Sequence, residues 1–168
     1  GAVPVYHPDV TVFEVKNRDG RHQGLFYFDP WARNGKQSGA WMNDYRPQER
    51  FDGETATIVS NNLNFIEPPA GEAPLIGWDD ARTLFHEFGH AVHGLLSDVT
   101  YPSMAGTSVV RDYVELSSQI MEHWLSTREV LDRFARHYAT GEPCPDELIR
   151  KIQRAEKFNQ GFATVEYL

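Results

Sequence analysis

The hydrophobic pattern of the first 76 residues predicts short β-strands. Runs rich in β-branched and aromatic residues lie at 10–15 and 24–28, and the turn sequence Asn-Arg-Asp-Gly lies between them at 17–20. An Asp-Gly pair between two such runs is typical of a β-hairpin. A third run extends from 55 to 65. We therefore expect a small sheet in this part of the chain.

The third predicted strand has two different faces. One face carries Thr57, Val59, Leu63 and Phe65, interrupted by Asn61, and the other carries Ser60, Asn62 and Asn64. Such a strand either borders a cleft or has a solvated face, and the pattern is compatible with both. Residues 31–54 are rich in Gly, Asn, Arg and Gln and predict a loop with a short apolar patch at 40–42.

From Gly77 onward the apolar residues follow a helical period. With about 100° per residue, one side of this helix collects the apolar positions Leu84, Phe88, Ala91 and Leu95. His86 and His90 lie on the opposite side. Both histidines are therefore expected outside the core.

Three more helical stretches are predicted at about 110–126, 128–138 and 146–158. The chain thus predicts an α+β fold, in which a β-rich part (1–76) precedes a helical part (77–168). A length of 168 residues suits one domain, so we expect a single domain.

Composition narrows the classes of partner. Hydrophobic residues make up 40% and charged residues 24% of the chain, as in ordinary soluble proteins. The net charge of −8 is spread along the chain, which argues against nucleic acid or a membrane surface as partner. The single cysteine, Cys144, cannot form an internal disulfide. Residues 1–4 do not have the pattern of a signal peptide, and cytoplasmic placement is expected, or periplasmic placement if a longer parent chain carries an export signal.

The sequence His86-Glu87-Phe88-Gly89-His90 carries the candidate chemistry. Histidines four residues apart lie on one face of a helix and can bind one zinc ion. The intervening Glu87 can reach a water molecule at the metal, which makes it the candidate general base of a metallopeptidase. The alternative is a surface helix that carries the motif by chance.

Two histidines leave the third ligand to be found. The pattern HExxHxxGxxH is excluded, because His93 stands at its Gly position and Leu96 at its last His position. Spacing leaves Glu115, Glu122 and Asp112 on the next predicted helix as candidates, with Glu115 ranked first.

Together with the HExxH motif, several further stretches of the chain resemble one known protein family. The sequences TLFHEFGH (83–90), GT (106–107) and DYVELSSQ (112–119) resemble those of the thimet oligopeptidase-like metallopeptidases. GLFY (24–27), GAWM (39–42) and FNQGF (158–162) are similar to the bacterial peptidyl-dipeptidase (dipeptidyl carboxypeptidase) branch. The resemblance covers nearly the whole chain.

The resemblance implies a zincin-like core and one Zn²⁺ per chain, bound by His86, His90 and Glu115, with Glu87 as the base. It also implies that the strand ending at 62–65 borders the substrate cleft and that 105–107 form a mobile loop beside it. One departure is Ser117, where many members have Pro.

A larger departure concerns length. Members of the family have several hundred residues. They carry Tyr and His residues that hold the substrate and stabilise the oxyanion, and these lie downstream of the region that matches 158–168. The chain is therefore interpreted as a catalytic-core fragment whose partners are the remaining N- and C-terminal parts and short peptide substrates.

The expected activity is release of C-terminal dipeptides from short peptides. The alternatives are an oligoendopeptidase of the same family and a zinc- or peptide-binding fragment without catalysis. Asp112, Gln119 and Glu122 are candidates to orient the histidine rings. His93 has either a similar role or none.

Overall fold

The computed structural model describes residues 3–167; Gly1, Ala2 and Leu168 lie outside the described part. The strands are β1 (Thr11–Lys16), β2 (His22–Trp31), β3 (Trp41–Arg46) and β4 (Thr57–Phe65). The helices are α1 (Trp78–Leu95), α2 (Arg111–Val114), α3 (Leu116–Leu125), α4 (Arg128–Phe134), α5 (Asp146–Ala155) and α6 (Gln160–Tyr167). A short 3-10 helix covers Pro102–Met104. The predicted α+β class is confirmed.

The four strands form one mixed sheet with the order β1-β2-β4-β3. β1 and β2 are antiparallel, as the hairpin pattern predicts, whereas β2 and β4 run parallel. β3 is antiparallel to β4, with Trp41 opposite Asn62. The prediction of a loop is therefore wrong for 41–46. This strand was missed because Asn43 and Asp44 have low β-propensity, and pairing with β4 outweighs that preference.

Two of the three residues on the polar face of β4 are buried rather than solvated. Ser60 and Asn62 are both almost fully inaccessible, and the Asn62 amide donates to Ser60 Oγ at 3.1 Å. The Tyr6 hydroxyl lies 3.3 Å from Asn62 Oδ1 and 3.0 Å from Asp29 Oδ2. The alternative of a solvated face is therefore wrong for Ser60 and Asn62.

A buried ion cluster lies on this side of the sheet around Asp29, whose side chain is 1% exposed. Arg33 donates to both of its carboxylate oxygens, at 2.6 and 2.8 Å, and Lys36 donates at 2.9 Å. Burial alone would raise the pKa of Asp29, but these hydrogen bonds outweigh it and lower the pKa to about 2.

The opposite face of the sheet packs against α1. Phe26 and Val59 from the sheet and Ala91 and Leu95 from α1 form the buried core. The helix approaches closely at Gly94, where an added Cβ would lie 2.8 Å from Val59 Cγ1. This contact fixes the side of α1 that faces the sheet.

The helix predicted at 110–126 is divided into α2 and α3, which meet at Glu115. Glu115 has φ −83° and ψ −4°, at the edge of the helical region. Its carbonyl oxygen still accepts a hydrogen bond from the Gln119 backbone amide at 3.0 Å, so α3 begins directly after this residue. The division places Glu115 at a junction rather than within a regular helix.

The described residues form two compact units, one that ends at Leu125 and one that begins at Ser126. The second unit contains α4, α5 and α6, and its α4 ends four residues before the predicted end at 138. An isolated bridge between Arg136 and Pro143 closes the turn that follows. Within the described part, none of the helices combines the length and apolar character needed to cross a membrane.

Candidate metal centre

Three of the predicted site residues converge on one point. His86 and His90 project from α1, and Glu115 lies at the α2–α3 junction. Glu115 Oε2 is 3.2 Å from His86 Nε2 and 3.2 Å from His90 Nε2. Within the described residues, these side chains are the group whose donor atoms are arranged to hold a metal ion.

A close crossing of α1 and α3 produces this convergence. An added Cβ on Gly89 would lie 2.5 Å from Ser118 Cα and 2.6 Å from the Ser117 carbonyl oxygen. The backbones are therefore in direct contact at Gly89, midway between Glu87 and Ala91. Glu115, three residues before Ser118, is brought over the histidine face of α1.

Glu122 lies behind His86 rather than among the three donors. Its Oε1 is 2.5 Å from His86 Nδ1, and Arg82 Nε donates to its Oε2 at 2.7 Å. Burial opposes ionisation of Glu122, but the hydrogen bonds from His86 and Arg82 outweigh this effect and lower its pKa. A carboxylate at Nδ1 holds the proton there and leaves the Nε2 lone pair for a metal.

Asp112 and Gln119 do not share this arrangement. Both side chains are exposed, and neither hydrogen-bonds to a histidine in the part of the chain that the structure describes. Of the three side chains considered for orienting the rings, only Glu122 has the required contact.

Glu87 lies on the buried side of the site, with 7% exposure. Burial raises the pKa of its carboxyl group, the nearby Glu115 charge adds to this effect, and His86 opposes it. A raised pKa is suited to a carboxylate that must accept and return a proton.

The backbone of Glu87 is held from the sheet by Asn61, a contact that sequence reasoning missed. Asn61 is fully buried in β4, and its Nδ2 donates to the Glu87 carbonyl oxygen at 2.6 Å. The sequence contains one indication of this contact, the amide side chain of Asn61 on an otherwise apolar strand face. A buried amide requires a hydrogen-bond partner.

His90 and His93 differ from His86 in their surroundings. Burial lowers the pKa of His90, which favours the neutral imidazole that a metal requires. Its Nδ1 and that of His93 are buried without a hydrogen-bond partner among the described residues. His93 is half-buried beside Tyr113, with the ring centroids 6.3 Å apart.

The loop at 105–107 is packed against the end of α1. The Gly106 amide donates to Ser97 Oγ at 2.6 Å. Gly106 has φ +51°, and an added Cβ would lie 3.1 Å from Gly94 Cα. A side chain at position 106 would therefore be strained by the positive φ and would press closely against the backbone of α1.

Comparison with known proteins identifies the family. Residues 2–168 match the family model of peptidase family M3. The chain belongs to peptidase family M3. The resemblance inferred from the motifs is thereby confirmed.

Curated M3 relatives share this region at substantial identity. Dipeptidyl carboxypeptidase of Escherichia coli is 45% identical over 166 residues, which are 99% of this chain and 24% of that protein. Oligopeptidase A of the same organism is 42% identical over 159 residues, 93% of this chain and 23% of that protein. Organellar oligopeptidase A of Arabidopsis thaliana is 35% identical over 175 residues, 100% of this chain and 22% of that protein. The chain thus spans about a quarter of the length of these relatives.

Members of family M3 are zinc metallopeptidases, so zinc is the metal expected here. In tetrahedral coordination with zinc–ligand bonds of about 2.0–2.1 Å, donor atoms lie about 3.3–3.4 Å apart. The separation of 3.2 Å between Glu115 Oε2 and each histidine Nε2 fits this geometry. Three protein donors would leave a fourth position for water, as in catalytic rather than structural zinc sites.

Proposed function

We propose that this chain is the zinc-binding core of a peptidase that hydrolyses short peptides. In this proposal His86, His90 and Glu115 bind the metal, and Glu87 is the general base. The observation that carries it is the single Glu115 oxygen placed 3.2 Å from both histidine Nε2 atoms, with the carboxylate of Glu87 buried nearby.

The chemistry divides between the metal and the protein. When bound, zinc supplies a Lewis acid that polarises the scissile carbonyl and makes water easier to deprotonate. Glu87 accepts a proton from the attacking water and returns it to the leaving amine. Its raised pKa makes Glu87 a stronger base for the first transfer, and Glu122 keeps the His86 ring oriented during both.

Strand order, together with the position of Asn61, favours β3 as the surface for the peptide backbone. β4 has a partner on both sides, whereas β3 pairs on one side within the described sheet. Met42 of β3 lies opposite Asn61, the residue that binds the Glu87 carbonyl. Because neighbouring strands lie about 4.8 Å apart, a peptide added to the free edge of β3 would run level with Glu87. In this proposal β3, rather than β4, provides the backbone edge of the cleft.

The type of peptidase is proposed from the relatives. The relative at 45% identity is called a dipeptidyl carboxypeptidase, which supports release of dipeptides from peptide C-termini. Oligopeptidase A at 42% identity supports the second candidate, an oligoendopeptidase.

The deciding experiment uses the full-length protein and two peptides of identical sequence, one with a free C-terminal carboxylate and one amidated. Mass spectrometry of the products should show a C-terminal dipeptide from the free peptide and little cleavage of the amidated one. Equal cleavage of both peptides at an internal bond would favour the oligoendopeptidase. If the protein binds one zinc ion per chain but cleaves neither peptide, it is a zinc- or peptide-binding protein without catalysis.

A further inference from the structure

Besides the two histidines, the Glu115 side chain contacts Ser118. Ser118 Oγ lies 2.7 Å from Glu115 Oε2, the same oxygen that faces both imidazoles, and 2.9 Å from the Glu115 carbonyl oxygen. Ser118 is fully buried at the crossing of α1 and α3, where it faces Gly89. The hydroxyl is therefore held in place by the packing of the two helices.

The hydroxyl has one proton for two acceptors. A serine in a helix often donates to a backbone carbonyl three or four residues before it, and the Glu115 carbonyl is such an acceptor. The Glu115 carboxylate is the stronger acceptor because it carries charge, and its distance from the hydroxyl is the shorter one. The Ser118 proton is therefore directed to Oε2.

Glu115 needs such support more than the histidines do. His86 is fixed by Glu122, and His90 is buried in α1, whereas the Glu115 side chain is 46% exposed at a junction between two helices. Among the described residues, no Lys or Arg forms an ion pair with it. A flexible carboxylate can coordinate a metal through either oxygen or through both. A fixed mode of coordination therefore requires a neighbouring group that orients the carboxylate.

We propose that Ser118 is the positioning residue of the third metal ligand: its hydroxyl selects Oε2 as the single coordinating oxygen and holds the carboxylate between the two histidines. This role rests on the proposed zinc site. It predicts that loss of the hydroxyl weakens zinc binding and changes the way in which Glu115 coordinates, without disturbing the helix crossing.

The neighbouring residue provides a matched control. Ser117 lies in the same helix, and its Oγ is buried without a hydrogen-bond partner in the described part. Ser118→Ala and Ser117→Ala each remove one buried hydroxyl and keep the small side chain that the Gly89 crossing requires. Only the first removes a hydrogen bond to Glu115.

The test is the zinc dissociation constant of the full chain, measured by competition with a chromogenic chelator. Ser118→Ala should weaken zinc binding about tenfold or more, as expected for loss of a side chain that orients a ligand. Ser117→Ala should match the wild type. Equal affinities of the wild type and Ser118→Ala, or equal weakening by both substitutions, would overturn the role of Ser118.

A second readout addresses geometry rather than affinity. With Co²⁺ in place of zinc, Ser118→Ala should change the visible absorption bands, because the carboxylate is free to coordinate differently, whereas Ser117→Ala should leave them unchanged. Identical spectra in all three proteins would overturn the proposal even if stability had altered the affinity.

Glu115→Ala separates this inference from the proposed site. If Glu115→Ala loses zinc while Ser118→Ala keeps wild-type affinity and spectrum, the zinc site stands and only the Ser118 role fails. If zinc binding survives Glu115→Ala, the third ligand is wrong and the Ser118 role fails with it.

Discussion

Asn61 of β4 donates a hydrogen bond of 2.6 Å to the backbone carbonyl oxygen of Glu87 in α1. This contact joins the centre of the sheet to the residue proposed as general base. The position of Glu87 is thus set by the sheet as well as by its own helix.

Replacing Asn61 with Leu should reduce kcat of the full-length enzyme by about tenfold or more, because a small displacement of a catalytic group has a large effect on rate. Zinc affinity should change less than kcat, since none of the three proposed ligands hydrogen-bonds to Asn61 in the described part of the chain. Steady-state kinetics together with chelator competition measures both quantities. An unchanged kcat in a folded variant would show that the base does not depend on this contact.

Glu87→Gln should keep about one zinc per chain and lose nearly all turnover, by about 10²–10⁴-fold, because an amide cannot accept the proton of water. Metal analysis and a peptide-cleavage assay on the same sample check both parts. Glu72→Gln, the same change at an exposed site, serves as the control. Near-normal turnover of Glu87→Gln would mean that another group is the base.

Gly89→Ala should destabilise the fold by about 1–3 kcal/mol, because the new methyl group overlaps the α3 backbone at Ser117 and Ser118. Zinc affinity should fall as well, since α3 must move away and carry Glu115 with it. Urea unfolding measures the free energy. Gly161→Ala is the matched control, because a Cβ there meets nothing within 4 Å. Equal stability of the two variants would contradict the close crossing.

Asp29 should make the fold sensitive to acid. Its pKa is about 2 in the folded state and about 4 in an unfolded chain, so the unfolded state binds more protons between these values. Its contribution of about 2 kcal/mol is present above pH 4 and is lost as the pH falls toward 2. Unfolding free energies measured between pH 5 and pH 2 should show this decrease.

The Asp29→Asn variant tests the assignment of that acid sensitivity. It should be about 3–5 kcal/mol less stable at pH 7, because Arg33 and Lys36 lose a buried partner. Its stability should also depend less on pH over the same range. A wild-type pH dependence in this variant would place the sensitivity elsewhere. Asp146→Asn, which alters an exposed ion pair with Arg128, should have a much smaller effect.

The sequence was sufficient to predict the features of the site that depend on the helical period. The helical wheel placed His86 and His90 away from the apolar side of α1, and spacing ranked Glu115 above Glu122. The structure brings Glu115 to both histidines and places Glu122 behind one of them. Whether these residues bind zinc stays a prediction, but the geometry on which it depends was accessible from a one-dimensional pattern.

Features that depend on contacts between distant segments were not accessible. β3 has the composition of a loop and becomes a strand through pairing with β4. Ser118 has no role predicted from the sequence; its partner Glu115 is only three residues away, but the contact lies at the break between α2 and α3, which the periodicity does not predict. Asp29 directly follows the predicted run at 24–28, and its burial requires Tyr6, Arg33 and Lys36 to converge on it.

The sheet order has a consequence for the way in which the chain folds. β4 is the last strand in sequence but lies between β2 and β3, so synthesis up to residue 56 permits the β1–β2 hairpin and leaves β3 without its partner. Completion of the sheet requires pairing between distant segments, which is slow compared with hairpin or helix formation. Because α1 packs on that sheet and α3 packs on α1, we expect the metal centre to assemble late, after the non-local step.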